Sequence, residues 1–229
     1  MGKRPATVSA ILEKLEKIYG EQKAWWPTHP YEFVVWWLCG YPASDERCAK
    51  GWAGLNKDVG IAPDALLDAS PKRLAAALKA GGMVPELRAV RLKEIAARVK
   101  NEFNGDLLAA LIGSPGNARK ALKKFPNIGD PGADRILLFA GLSPIAAIPS
   151  NCPQVLIRIL SGKEPKNYGA NYRDAQTAIA TELPETFEAR TRAYLLLKRH
   201  GQETCKAAIP RCAACPVNAD CAFYPGTRK

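Results

Sequence analysis

The sequence predicts an all-α protein, and three observations carry that prediction. Apolar residues recur at three- and four-residue spacing through most of the chain. Pairs such as Ser70-Pro71 and Asp130-Pro131 set a capping residue before a proline at a helix start, while Gly and Asn separate other periodic stretches. No segment alternates apolar with polar residues in the two-residue rhythm of a half-buried strand. With 229 residues, 47% hydrophobic and 24% charged, the chain has material for one large core or two modest ones. A disordered chain, a collagen-like chain and a disulfide-held mini-protein are excluded.

Taken in order, the periodic segments suggest about ten short helices. Val8, Ile11, Leu12, Leu15 and Ile18 form one apolar stripe with Glu and Lys between. Phe33–Leu38 reads FVVWWL, a single apolar block better suited to a fully buried helix than to a strand. Helical spacing returns in Leu66–Leu78, Leu87–Val99, Ala118–Phe125 and Ile136–Leu142, then in Val155–Leu160, Ala175–Leu183 and Ala189–His200. All five tryptophans (Trp25, Trp26, Trp36, Trp37, Trp52) precede residue 53, which suggests packing around one buried helix or a pocket for a flat ligand.

Thirty-three Lys and Arg against twenty-two Asp and Glu give a formal charge of +11, which points to a phosphate-bearing partner. No apolar run approaches the roughly 20 residues of a membrane span. Charge returns at Glu13, so the first twenty residues hold no secretory apolar core. A reducing compartment, cytoplasmic and nucleoid-associated or nuclear, is expected, and in it clustered cysteines read as metal ligands. Cys205, Cys212, Cys215 and Cys221 follow C-x6-C-x2-C-x5-C. Four thiolates so placed can enclose a zinc ion or a cubane iron–sulfur cluster; the wider gaps suit the larger object. Cys39, Cys48 and Cys152 read as ordinary buried thiols. His29 and His200 suggest no shared site, and His200 before Gly201 reads as a contact at a helix C-terminus.

This cysteine spacing resembles the [4Fe-4S] loop of the endonuclease III and adenine-DNA glycosylase family. A second match lies upstream, where Leu122-Lys123-Lys124-Phe125-Pro126-Asn127-Ile128-Gly129-Asp130-Pro131-Gly132-Ala133 fits the family's helix–hairpin–helix pattern L-x-x-L-P-G-V-G-x-x-T-A in frame. A third, PYEFVVWWLCGYPASDE from Pro30, resembles P-[FY]-E-L-L-…-S-A-Q-A-T-D. The resemblance runs from about Pro30 to Cys221. It implies two helical domains with a DNA cleft between them, the helix–hairpin–helix motif and a C-terminal iron–sulfur loop. The domains would be residues 28–141, and residues 1–27 with 142–229.

By the same resemblance the chain binds double-stranded DNA as a monomer, away from membranes. Backbone phosphates would meet Lys123, Lys124, Asn127, Ile128, Gly129, Gly132 and Arg135, with Lys206 and Arg211 of the cysteine loop. Trp36, Trp37 and Tyr41 would line a base pocket, and Cys205, Cys212, Cys215 and Cys221 would hold the cluster.

The chemistry departs from the family. Its Schiff-base lysine falls on Pro131, its aspartate on Pro149 and its wedge glutamine on Pro42, while Gln154 takes the place of an arginine. Lyase activity through the family's residue is therefore excluded, since proline has no side-chain amine. Asp45 and Asp130 are the candidate catalytic carboxylates, although each also reads as a helix-start residue. Three functions are carried forward. One is a monofunctional glycosylase that hydrolyses the bond to a damaged, alkylated base; another is a non-catalytic protein that binds DNA lesions or structures; the last is a metal-stabilised redox or interaction module.

Overall fold

The computed structural model describes residues 6–162 and 167–224, and among these it is helical with no strand. In chain order the α-helices are α1 (Val8–Tyr19), α2 (Pro30–Leu38), α3 (Asp45–Asp58), α4 (Pro63–Asp68), α5 (Pro71–Leu78) and α6 (Pro85–Glu102). Then follow α7 (Leu107–Leu111), α8 (Pro115–Leu122), α9 (Asp130–Phe139), α10 (Gln154–Ser161), α11 (Tyr168–Glu182) and α12 (Phe187–Glu203). They belong to two compact units. One joins residues up to Ala24 to those from Ser143 onward, and the other is Trp25–Leu142.

In the first unit α1 supplies one wall. Thr7 Oγ1 accepts from the Ala10 N–H, and the Glu182 carboxylate accepts from the Val8 N–H at 2.6 Å, so two orphan donors of the helix start are satisfied. Val8, Ile11, Leu12 and Leu15 are fully buried in one core with Val155, Leu156 and Ile159 of α10, Ala175 and Ile179 of α11, and Leu196 and Leu197 of α12. Each such side chain contributes about 2 kcal/mol of burial. On the polar side Glu16 accepts from Arg192, Oε2 to Nη2 at 2.8 Å, which ties α1 to α12.

The second unit is built round α2, whose Phe33–Leu38 are all buried, as a block without polar positions requires. Trp26, Trp36 and Phe139 pack edgewise or tilted about this helix, and Trp37 stacks between Phe33 and Tyr41. Only Trp25 of this aromatic group is largely exposed. The Leu66–Leu78 stretch is two helices, because Pro71 opens α5 and Ser70 caps it by accepting from the Arg73 N–H. The stretch expected to run to Leu142 ends at Phe139. Helices α3 and α7 carry no clear apolar period, and α3 was hidden further by Gly51 and Gly54. A Cβ at either glycine would lie 2.3 Å from a carbonyl oxygen, of Cys39 or Ala77, so tertiary approach and not propensity placed them there.

Candidate nucleic-acid interface and metal centre

The hairpin lies between α8 and α9. Its turn is held by short-range bonds, Phe125 N–H to Leu122 O and Ile128 N–H to Phe125 O. Asn127 takes a left-handed conformation (φ 63°), which asparagine adopts more readily than other non-glycine residues. Two side chains of the same unit hold it there. Trp37 Nε1 donates to the Asn127 carbonyl at 3.3 Å, and Arg91 donates to Asn127 Oδ1 at 2.9 Å. Ile128 is buried beneath the turn, while Gly129 and Asp130 face solvent.

Helix α9 begins at Asp130 with Gly129 as its N-cap, so Asp130 is the first helical residue and not the cap that its sequence suggests. Pro131, second in the helix, has no N–H, and the Ala133 N–H returns to Gly129 O. The N–H groups of Asp130 and Gly132 remain for an anion at this helix end. Gly132 itself is buried, whereas Gly129 and Asp130 are exposed, so the Asp130 N–H is the better placed of the two. Lys123 pairs with Asp130 at 2.7 Å and Lys124 with Glu102 at 2.8 Å, all four side chains well exposed. Exposed pairs are worth about 0–1 kcal/mol, so either lysine can exchange its carboxylate for a phosphate at small cost.

Three expectations for this unit are corrected. Arg135 is 2% exposed: it pairs with Asp45 at 3.1 Å and lies 3.9 Å over the Trp26 ring, ringed also by Phe33, Trp36 and Trp37. A guanidinium so enclosed stabilises the core and does not reach phosphate. Asp45, the candidate catalytic carboxylate, is 5% exposed and is Arg135's partner, so it is neither free nor accessible. Trp36 is core at 1% exposure and Trp37 is nearly so; only Tyr41, stacked on Trp37 with centroids 4.6 Å apart, presents a partly exposed aromatic face. Asp130 stays accessible, at the helix start beside Pro131, but with Lys123 as its partner.

In the first unit the four cysteines of the C-terminal loop line one cavity with Arg158, His200, Phe223 and Tyr224. The loop leaves α12 with Cys205 N–H bonded to His200 O, and the Arg211 N–H returns to Thr204 O. Its far end closes on α10, where the N–H groups of Ala222 and Phe223 satisfy the carbonyls of Ile159 and Arg158. Gly162 permits this, because a Cβ there would lie 2.6 Å from Ala222 O and its φ is 68°. Burial pushes the Cys205 and Cys221 thiols up and the Cys215 thiol to about 11, so any ligand role requires proton displacement.

Sequence reasoning missed two organisers of this loop. Arg158 is buried and donates to the carbonyls of Lys206 (2.9 Å) and Ala207 (2.8 Å), with Cys205 Sγ 3.9 Å away. Gln154 is buried too and donates to Cys205 O at 3.4 Å. The signal was a charged residue among Val155, Leu156, Ile157 and Ile159 in the apolar stretch of α10. His200 does lie in the last turn of α12, where its carbonyl accepts the Thr204 and Cys205 N–H groups, but its imidazole is wholly buried, with the pKa pushed down to about 4 by that burial. Lys206 and Arg211 are exposed on the loop surface, and Cys39, Cys48 and Cys152 are buried thiols with raised pKa.

Among the described residues no three His, Cys, Asp or Glu side chains converge on a single-ion site. A tetrahedral zinc site needs sulfurs about 3.8 Å apart. The four thiols line one cavity instead, with the Arg158 guanidinium 3.9 Å from Cys205 Sγ, and four thiols about one cavity suit a multinuclear iron–sulfur group.

No family model matches the chain. It is 28% identical over 163 residues to a thymine/uracil-DNA glycosylase of Pyrobaculum aerophilum, a match covering 71% of this chain and 67% of that one. It is 26% identical over 193 residues to an endonuclease III of Treponema pallidum, covering 83% of this chain and 82% of the relative. Among solved structures, a non-covalent endonuclease III–DNA complex superposes with a TM-score of 0.75 at 17% identity, over 98% of this chain and all of that one. That likeness is one of fold.

Proposed function

Because the chain belongs to the endonuclease III and thymine-DNA glycosylase superfamily of helix–hairpin–helix proteins, we propose that it binds duplex DNA and excises a base hydrolytically, with no lyase step. The observation that carries this reading is Pro131. It is the second residue of α9, in the helix–hairpin–helix where bifunctional members carry their lysine, and it offers no amine to the sugar C1′. In this reading water is the nucleophile: its oxygen bonds to C1′ as the C–N bond breaks, its proton passes to solvent, and the base leaves with the bonding electrons.

The leaving base matters because little acidic help is left. Pro149 stands where the family has its aspartate, and Asp45 is sequestered by Arg135. An alkylated purine brings its own positive charge and so needs the least assistance, and the exposed face of Tyr41 can attract it. Asp130 is the accessible carboxylate of the two candidates and would stabilise the cationic sugar. The Pyrobaculum relative is a thymine/uracil-DNA glycosylase, which makes those bases the competing substrates.

Cys205, Cys212, Cys215 and Cys221 would hold a [4Fe-4S] cluster, which when bound ties the loop to α10 and α12 and can carry one electron. The exposed Lys123, Lys124, Lys206 and Arg211, with the α9 N-terminus, would meet DNA phosphates.

The test is a panel of duplexes carrying one alkylated, deaminated, mismatched or oxidised base, scored for abasic sites. Release from the alkylated duplex supports the whole reading; release from the thymine or uracil duplex alone moves the substrate to that of the Pyrobaculum relative. A second reading, a protein that binds lesions without cutting them, is favoured by Pro131 and Pro149 together with the buried Asp45. Tight binding with no release from any duplex would select it.

A further inference from the structure

His200 lies wholly buried on α12, between the end of α1 and the cysteine loop. Its Nδ1 is 2.9 Å from the hydroxyl of Tyr19, and the same hydroxyl is 2.9 Å from Thr204 Oγ1. On the other side of the ring, Nε2 is 3.7 Å from Cys215 Sγ, within range of an N–H···S hydrogen bond.

The direction of this chain follows by elimination. A metal-bound cysteine sulfur carries no proton and can only accept. The nitrogen facing it must therefore carry the hydrogen. The wholly buried ring has the Tyr19 hydroxyl against Nδ1, so with Nε2–H turned to the sulfur it takes the Tyr19 proton at Nδ1. The Tyr19 oxygen then accepts from Thr204. We infer that Thr204, Tyr19 and His200 form a directed hydrogen-bond relay which delivers an N–H to the Cys215 thiolate and tunes the reduction potential of the iron–sulfur cluster. The inference rests on the cluster reading given above.

Hydrogen bonds to ligating sulfurs are among the determinants of such potentials, because a donor stabilises the more electron-rich, reduced state. His200 is a positioning residue in this sense. Arg158 differs: its Nη1 and Nη2 are committed to the carbonyls of Lys206 and Ala207, so its first duty is to hold the loop. His200 has Tyr19 on one nitrogen and the sulfur on the other. The relay also joins three separate stretches of the chain, and Thr204 immediately precedes Cys205.

The experiment compares full-length wild type with His200→Phe, His200→Gln, Tyr19→Phe and Thr204→Val, all purified anaerobically. Iron and acid-labile sulfide are counted first, and each loaded protein is then titrated to its midpoint potential. His200→Phe is expected to titrate at lower potential than wild type. His200→Gln, whose amide N–H can replace Nε2–H, restores most of the difference, and Tyr19→Phe gives a smaller shift in the same direction. An unchanged potential in loaded His200→Phe, or equal potentials in the Phe and Gln variants, overturns the relay. Should His200→Phe take up no iron, Tyr19→Phe and Thr204→Val keep the ring in place, and unchanged potentials in both overturn it equally. Wild type without iron and sulfide overturns the cluster reading and the relay with it, a failure visible before any variant is compared.

Discussion

The indole nitrogen of Trp37 donates to the main-chain carbonyl of Asn127, ninety residues later in the sequence, at 3.3 Å. A side chain buried in the centre of one unit thus fixes the turn that faces solvent. Arg91 completes the grip through Asn127 Oδ1.

The turn should therefore be sensitive to backbone preference more than to side-chain chemistry. Asn127→Gly keeps the left-handed conformation freely, whereas Asn127→Ala opposes it by about 1 kcal/mol. Both lose the Arg91 bond, so their difference isolates the backbone. Duplex-DNA affinity, measured by fluorescence anisotropy, is expected to fall about fivefold further in the alanine variant than in the glycine variant. Equal affinities would refute a role for the turn conformation.

Asp130 places a negative charge at the helix end proposed to seat a phosphate, and it occupies Lys123. Asp130→Asn should tighten DNA binding about two- to fivefold at low salt, since one repulsion of roughly 0.5–1 kcal/mol is removed in a high-dielectric setting. Base release would fall in the same variant if the carboxylate stabilises the sugar cation. Conversely, Lys123→Ala with Lys124→Ala should flatten the slope of log affinity against log salt by about one to two units. A slope unchanged by that pair would remove the hairpin lysines from the interface.

Borohydride should trap no covalent complex with DNA containing an abasic site, because Pro131 cannot form a Schiff base. A strong trapped band that survives Lys123→Ala would assign lyase chemistry to another amine and contradict the hydrolytic mechanism.

Cys212→Ala should cost folding of the first unit before anything else, since metal binding and folding are one free energy in such loops. Wild type should be brown, with iron and sulfide in near-equal amounts, and the variant should lose colour and melt earlier by circular dichroism. Colourless wild type carrying stoichiometric zinc would set the iron–sulfur assignment aside.

Helix α1 was legible because burial decides the pattern of Val8, Ile11, Leu12 and Leu15, although Ile18 of the same stripe is exposed. Helix α3 was not, because Gly51 and Gly54 answer to carbonyls of Cys39 and Ala77 that no local window contains. The same limit governs the site. Arg135 reads as a phosphate contact by its place beside the hairpin, yet it is spent inside the core on Asp45 and four aromatic rings. Charge counts cannot tell an outward arginine from an inward one. Arg158 and His200 gave fainter signals, since their partners are main-chain carbonyls in one case and a tyrosine 181 residues away in the other.

Helix α1 completes a core whose other walls, α10, α11 and α12, are made more than a hundred residues later. A chain synthesised from its N-terminus therefore carries the apolar stripe of Val8, Ile11, Leu12 and Leu15 without its partners until the final third emerges. The inserted unit, Trp25–Leu142, is complete by then and can fold from contacts within its own span. Closing the first unit spans a long loop and should be the slower event. In refolding experiments the tryptophan signal, confined to the inserted unit, would recover before burial of α1.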